Sequence, residues 1–214
     1  MEALRVDWTL SAPLQVGDYP IHLDDLIAYG VVHGSGPLDW SRRDALPLER
    51  FRGEGGAVWC ASMLWAPSAA PVELMAIRRP VGVAELAEDR DIVWSGRLNK
   101  LTAGTGRHKA FDARIATQRA PQVSAWFVGD LDAVTRALRL IRYIGGGRRI
   151  GLGRVRNMSI VADARASELW RWRHMPDPVE GYAAVEGTLQ PPYWDRLAAR
   201  KVYAPLDGPQ GVTP

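Results

Sequence analysis

Residues 142–156 read R-Y-I-G-G-G-R-R-I-G-L-G-R-V-R, and no regular element can run unbroken through them. Gly145, Gly146, Gly147, Gly151 and Gly153 lack a Cβ, so the backbone there can turn through φ > 0 and can be approached closely by a ligand. Arg142, Arg148, Arg149, Arg154 and Arg156 are interspersed with them, and no acid is present. A guanidinium is planar, permanently charged and suited to phosphate oxygens. Backbone N–H groups in such a loop can cradle an anion between them. The segment therefore predicts a loop that closes a helix, leads into a strand and suits an anionic chain. It is not a nucleotide-cofactor loop. Leu152 follows Gly151 where a Walker motif needs Lys, and Arg156 stands where the dinucleotide fingerprint needs its third glycine.

Charge is concentrated rather than abundant. The window 97–119 holds Arg97, Lys100, Arg107, Lys109, Arg114 and Arg119 against Asp112, a net +5, and 136–156 holds seven arginines and no acid, a net +7. The whole chain carries only +3, so the remainder carries −9. Two basic segments on a nearly neutral body predict a track for a polyanion. Nine tryptophans add candidate stacking platforms for unpaired bases, most of them expected in the core or at subunit contacts. The single cysteine, Cys60, excludes a disulfide framework and a cysteine zinc site. No apolar run is long enough to span a bilayer, and the charged first residues do not read as a secretion signal, so a cytoplasmic protein is expected.

The 214 residues suit one domain or two small ones. Residues 3–11 alternate, with Leu4, Val6, Trp8 and Leu10 on one side and Arg5, Asp7 and Thr9 on the other, which predicts a half-buried strand. Leu23, Leu26, Ile27 and Val31 share a helical face, with Asp24 and Asp25 in the first turn where the helix dipole favours acids. Residues 34–56 read as largely irregular surface. Residues 57–65 read as a buried strand with Cys60 as a core thiol, and 72–78 as its antiparallel neighbour across the proline-bearing turn 67–71. Residues 92–98 and 109–118 read as the strands of a basic hairpin with a glycine-rich tip at 101–106, followed by Arg107, His108 and Lys109. A strand at 122–128 precedes a helix capped by Asp130 and running to about residue 144. Leu131, Val134, Leu138 and Ile141 form its apolar stripe, and Arg136, Arg139 and Arg142 its basic side. A strand at 154–161 leaves the loop. The tail from 165 is rich in Trp, Arg and Pro, with one helical piece near 195–201 and a frayed end after Leu206.

This order predicts an α+β, elaborated ferredoxin-like (RRM-like) fold. The run G-G-G-R-R-I-G-L-G-R-V after an amphipathic helix resembles the glycine-rich loop of the RAMP proteins of CRISPR–Cas systems. The N-terminal strand followed by L-D-D-L-I-A-Y, and a hairpin before the last helix, resemble the subunit of type IV effector complexes that holds the 5′ handle of the guide RNA. The resemblance implies a RAMP domain over 1–164, with a thumb hairpin at about 97–118, and a C-terminal extension, 165–214, packed on it. It implies that Gly145, Gly146, Gly147, Arg148, Arg149, Gly151, Gly153 and Arg154 touch the handle. With them go Arg142 and the thumb residues Arg97, Lys100, Arg107, His108 and Lys109. It also implies partners: guide RNA (crRNA), a filament of backbone RAMP subunits that this chain caps, a large subunit, target DNA through the assembled complex, and a recruited helicase. No cofactor or metal is implied.

The resulting expectation is a non-catalytic RNA-binding subunit. The alternative is a metal-independent endoribonuclease that processes the guide-RNA precursor, because some RAMP relatives cleave RNA with a histidine acting near a 2′-hydroxyl. His108, beside Lys109 in a basic, glycine-flanked stretch, is the one histidine in a context suited to that chemistry, and a histidine so placed is more often a phosphate contact. His22 and His33 flank the first helix, and His174 sits in the tail.

Overall fold

The first strand, β1 (Glu2–Leu10), sets the layout because its alternation gives it two different faces. Leu4, Val6, Trp8 and Leu10 are buried on one of them, as the pattern predicts. The computed structural model describes residues 1–17, 19–34, 39–67, 69–79 and 111–209. β1 lies between β7 (Gln122–Gly129) and β8 (Val155–Ala162), antiparallel to both. Residues 60–65 form a broken fourth strand on the far side of β7, through antiparallel bridges from Ala61 to Phe127 and from Trp65 to Ser124. Helix α1 (Leu23–His33) follows β1, and α2 (Leu131–Leu138) joins β7 to β8. The sheet order β8-β1-β7-(60–65), with both helices packed on it, is compatible with a ferredoxin-like fold.

The core lies between sheet and helices, where Val6, Trp8, Ala125 and Phe127 meet Leu23, Ile27, Val134 and Leu138. The two helices touch at Gly30, where an added Cβ would lie 2.2 Å from the carbonyl oxygen of Ala137. Only a residue without a Cβ permits that approach. On the opposite face, Ser124 donates to Asp7 at 2.6 Å and Trp126 Nε1 donates to Asp163 at 3.3 Å. A short helix, α3 (Ala166–Leu169), packs on β7 and β1 there.

Several expectations change. The run 57–65 is not one strand. Its first part belongs to β4 (Gly56–Trp59), paired with β3 (Arg50–Gly53), and the rest turns to β7. Paired first to β3 and then to β7, it does not pair with 72–78. Instead β5 (Val72–Arg79) pairs over eight residues with β6 (Phe111–Gln118), and the short β2 (Leu14–Gln15) adds to β6. Residues 34–56 hold β3 and a 3-10 turn (Trp40–Asp44), whose first residue is preceded by an Asp39 side chain accepting from Ser41 N. In α1 it is Val32 that is fully buried, with Val31 at the margin. Within residues 165–209, β9 (Tyr182–Gly187) pairs with β10 (Arg200–Pro205) over a small core of Val58, Cys60, Trp170, Met175, Leu189 and Val202, and the end beyond 209 lies outside the described residues. Only a 3-10 turn (Arg196–Ala198) stands where a helical piece is expected. Burial pushes the Cys60 thiol up to about 11, which suits an inert core thiol. The strand expected at 92–98, the tip at 101–106 and most of the basic hairpin lie outside the described residues.

The largest departure concerns Asp24. It does not serve the helix dipole at the surface; it is fully buried, 3.2 Å from the guanidinium of Arg173, whose side chain is also fully buried. Arg173 further donates to the carbonyls of Trp59 (2.5 Å), Ala61 (2.9 Å) and Leu189 (2.9 Å), and to the hydroxyl of Tyr193. Tyr193 Oη in turn donates to Asp24, at 2.8 Å to the nearer oxygen. Burial works against the charge on Arg173, but Asp24 and Tyr193 outweigh it and hold the guanidinium protonated. Removing one partner of such a pair leaves an uncompensated buried charge, at a typical cost of about 3–5 kcal/mol. Arg173→Met should lower unfolding free energy by about that amount in chemical denaturation. Asp24→Asn/Arg173→Met should lose distinctly less than the two single variants added together.

Candidate nucleic-acid interface

Helix α2 is capped by Asp130, whose carboxylate accepts from Ala133 N at 2.7 Å. It ends at Leu138 rather than near residue 144, because the next backbone groups are used elsewhere. Val155 N donates to Arg142 O at 3.0 Å, Ile144 N to Gly153 O at 2.9 Å, and Tyr143 bridges to Arg154. These bonds close the base of a loop. Gly153 N donates to Pro13 O at 2.7 Å, and buried Leu152 anchors the loop from within.

Inside the loop a 3-10 turn (Arg148–Ile150) sits between two left-handed glycines, Gly147 at φ 70° and Gly151 at φ 84°. Gly153, at φ 64°, has no room for a side chain, since a Cβ would lie 1.8 Å from Ile144 O. Gly151 has open space within 4 Å, so something else can approach its backbone. The N–H groups of Gly145, Gly146, Gly147, Arg148 and Arg149 have no hydrogen-bond partner among the described residues. Arg136, Arg139, Arg142, Arg148, Arg149, Arg154 and Arg156 are all exposed, and none forms an ion pair among the described residues. Seven guanidiniums without an ion pair and five amides without a partner among the described residues concentrate positive charge and open donors in 136–156, a chemistry suited to an anion.

The loop also walls a cleft of about 550 Å³ against the start of α1. Arg142 and Arg148 line it together with Tyr29, Tyr143 and Trp194. The three aromatic side chains are exposed, Trp194 by 74%. Its floor includes His22 and Tyr193, stacked face to face with ring centroids 3.8 Å apart. Both ring nitrogens of His22 are buried without a partner among the described residues, and burial holds its pKa well below the ordinary 6.5. His174, edge-on to His22 at 4.8 Å, is depressed by burial too. Asp25 lines the same cleft and is pushed up to about 6 by burial and by the neighbouring Asp24.

The structure thus brings together Arg142, Gly145, Gly146, Gly147, Arg148, Arg149, Gly151, Gly153 and Arg154. Arg97, Lys100, Arg107, His108 and Lys109 lie outside the described residues. The sequence reading passed over Tyr29, Tyr143, Trp194 and Asp25 as site residues. Tyr143, inside the arginine run, and Tyr29, one turn beyond Asp25, carried a legible signal. Trp194 carried none, because its place depends on how the tail folds. No group of three or more potential metal ligands occurs among the described residues, and none of their helices is long and apolar enough to cross a membrane.

A family match extends over residues 2–205 and carries the description CRISPR type IV associated protein Csf3. The chain belongs to the Csf3 family. This agrees with the CRISPR type IV association that the glycine run and the first helix imply. Among curated proteins nothing matches the chain. Within this Csf3-family chain, the loop and the Asp24–Arg173 pair meet at the cleft, which Arg142 and Arg148 line together with Tyr193, the donor to Asp24.

Two expected outcomes follow from this geometry. Gly151→Ala should cost about 1 kcal/mol for its left-handed backbone, whereas Gly153→Ala should cost more because a backbone oxygen must also move, as thermal unfolding will show. Below pH 6.5 the unfolded chain binds protons at positions 22 and 174 that the folded chain refuses, so stability falls as pH drops, by up to about 1.4 kcal/mol per pH unit per group. Asp24 and Asp25, both raised chiefly by burial, act in the opposite sense: the Asp25 carboxyl is protonated near pH 6 when folded and only near 3.8 when unfolded, which offsets part of the loss in that window. Unfolding midpoints should therefore decline from pH 7 to pH 5, and less steeply in His22→Phe.

Proposed function

We propose that this protein is a non-catalytic RNA-binding subunit of a type IV CRISPR effector ribonucleoprotein, holding the repeat-derived 5′ handle of the guide RNA. The observation that carries the reading is the run 136–156, with seven exposed arginines that form no ion pair and five loop amides that have no partner among the described residues. Phosphate contacts of this kind position a strand without reading its sequence, while bases splayed from it can be stacked on aromatic side chains. Target sequence is then read by pairing between guide and target. Family membership supports a place in an assembly with other type IV components. The partners in this reading are backbone RAMP subunits, a large subunit, target DNA through the complex, and a recruited helicase. Exposed Val72 and Leu74 on β5 and Leu197 beyond β9 supply apolar surface for such contacts.

The absence of catalysis is part of the same proposal. His22 and His174 are buried and held neutral, which suits them to the core rather than to a reacting 2′-hydroxyl. The test is to express the protein with its operon, sequence the RNA that copurifies, and titrate a labelled repeat RNA. Uncleaved RNA with a uniform repeat-derived 5′ end is expected, kept in His108→Ala. Arg148→Ala/Arg149→Ala should weaken binding about tenfold or more and flatten the dependence of log affinity on log salt by about 1.4, two single-strand phosphate contacts at about 0.7 each. Cleavage that disappears in His108→Ala would instead make the protein the processing nuclease, and no enriched RNA would overturn both.

A further inference from the structure

Asp25 is the anomaly of the cleft. Its carboxyl is largely removed from water and sits beside a second, fully buried carboxylate, Asp24. Tyr193 and Arg173 both serve Asp24. Asp25 has no hydrogen-bond or ion-pair partner among the described residues, although Arg142 and Arg148 line the same cleft. A half-buried carboxylate without donors is costly unless a ligand supplies them. The walls narrow the ligand class. Tyr29, Tyr143 and Trp194 line it as aromatic surface, one face of Tyr29 being stacked on His33 at 3.9 Å, and Arg142 and Arg148 add phosphate-binding forks. About 550 Å³ lies within the ~300–1,000 Å³ range of small-molecule sites.

A carboxylate offers two acceptors side by side and no donor. Of the four RNA bases, only guanine presents two adjacent N–H donors on one edge, the ring N1–H and the exocyclic amine. Adenine and cytosine each pair their amine with a neighbouring acceptor nitrogen, which faces a carboxylate unfavourably, and uracil has a single N–H between two carbonyls.

We propose that the cleft between α1 and the glycine loop is a guanosine-phosphate subsite, in which Asp25 accepts from guanine N1–H and N2–H, Tyr29, Tyr143 and Trp194 flank the base, and Arg142 and Arg148 hold the phosphate. This rests on the reading of the loop as an RNA-binding surface and names what one position of that surface selects.

The full chain is titrated calorimetrically with GMP, IMP, N1-methyl-GMP, AMP, CMP and UMP. GMP should bind about tenfold or more tightly than IMP, which lacks the amine, and than N1-methyl-GMP, which lacks the ring donor. These ligand-side deletions need no variant and so hold whether or not a substitution folds. Asp25→Asn should erase the guanine preference, with its unfolding midpoint measured alongside, while Arg148→Ala should weaken all the nucleotides by a similar factor. A hexanucleotide with one guanosine separates the two sources of the group: tighter binding than GMP marks a residue of a strand, and equal or weaker binding a free nucleotide. Equal affinity for GMP, IMP and AMP, or a preference that survives Asp25→Asn, would overturn the subsite. If repeat RNA still binds in that case, only the subsite fails; if repeat RNA does not bind either, the RNA-binding reading falls with it.

Discussion

The buried guanidinium of Arg173 is the interaction on which the rest of the molecule depends. It reaches from the tail into the body, where it serves the carbonyls of Trp59 and Ala61 and the carboxylate of Asp24 at the start of α1. It also serves Leu189 and Tyr193 on its own side. An arginine suits this role better than a lysine, since its planar fork satisfies several acceptors in different directions without losing its charge. Because Trp59 and Ala61 flank the point where the chain leaves β4 and turns toward β7, Arg173 takes up carbonyls that no strand pairing uses. A bent, buried segment whose carbonyls face no neighbouring strand is tolerable only if something donates to them; here Ala61 N reaches Trp59 O at 2.7 Å and the tail supplies the rest.

This explains why the fold was readable in some places and opaque in others. β1, α1, β7 and the start of α2 follow from periodicity and a capping aspartate, since burial of one face is a local consequence of spacing. The break at residue 60 and the partnership of β5 with β6 do not. Which strand pairs with which depends on edges already occupied, and the run 57–65 looks like one continuous buried strand in composition. Asp24 shows the same limit. In a first helical turn an acid is well explained by the dipole, and nothing near it in the chain points to an arginine 149 positions away. Arg173 itself sits in a stretch so rich in Trp and Arg that its burial leaves no local mark.

The glycine loop was legible because its requirements are local. Left-handed φ at Gly145, Gly147, Gly151 and Gly153, and the close approach of Gly153 to Ile144, are properties of the backbone that a side chain would prevent. The cleft beside it was not legible, because its aromatic wall comes from three parts of the chain. Tyr29 belongs to α1, Tyr143 to the loop base, and Trp194 to the tail.

The neighbours Asp24 and Asp25 join these two levels. Consecutive residues on a helix point in diverging directions, so one carboxylate enters the core while the next lines the cleft. Asp24 is fully satisfied by Arg173 and Tyr193, and by holding Tyr193 it fixes the ring that stacks on His22 in the cleft floor and places Trp194, the next residue, at the cleft wall. The same ion pair that ties the tail to the body therefore builds one side of the candidate site. Burial and the Asp24 carboxylate beside it both raise the cost of leaving Asp25 charged. A site arranged this way gains most from a ligand that brings its own pair of N–H donors, since those donors relieve a charge the fold leaves unserved. Stability and recognition are coupled at this point: whatever loosens Arg173 loosens Tyr193, and with it the wall against which a base would stack.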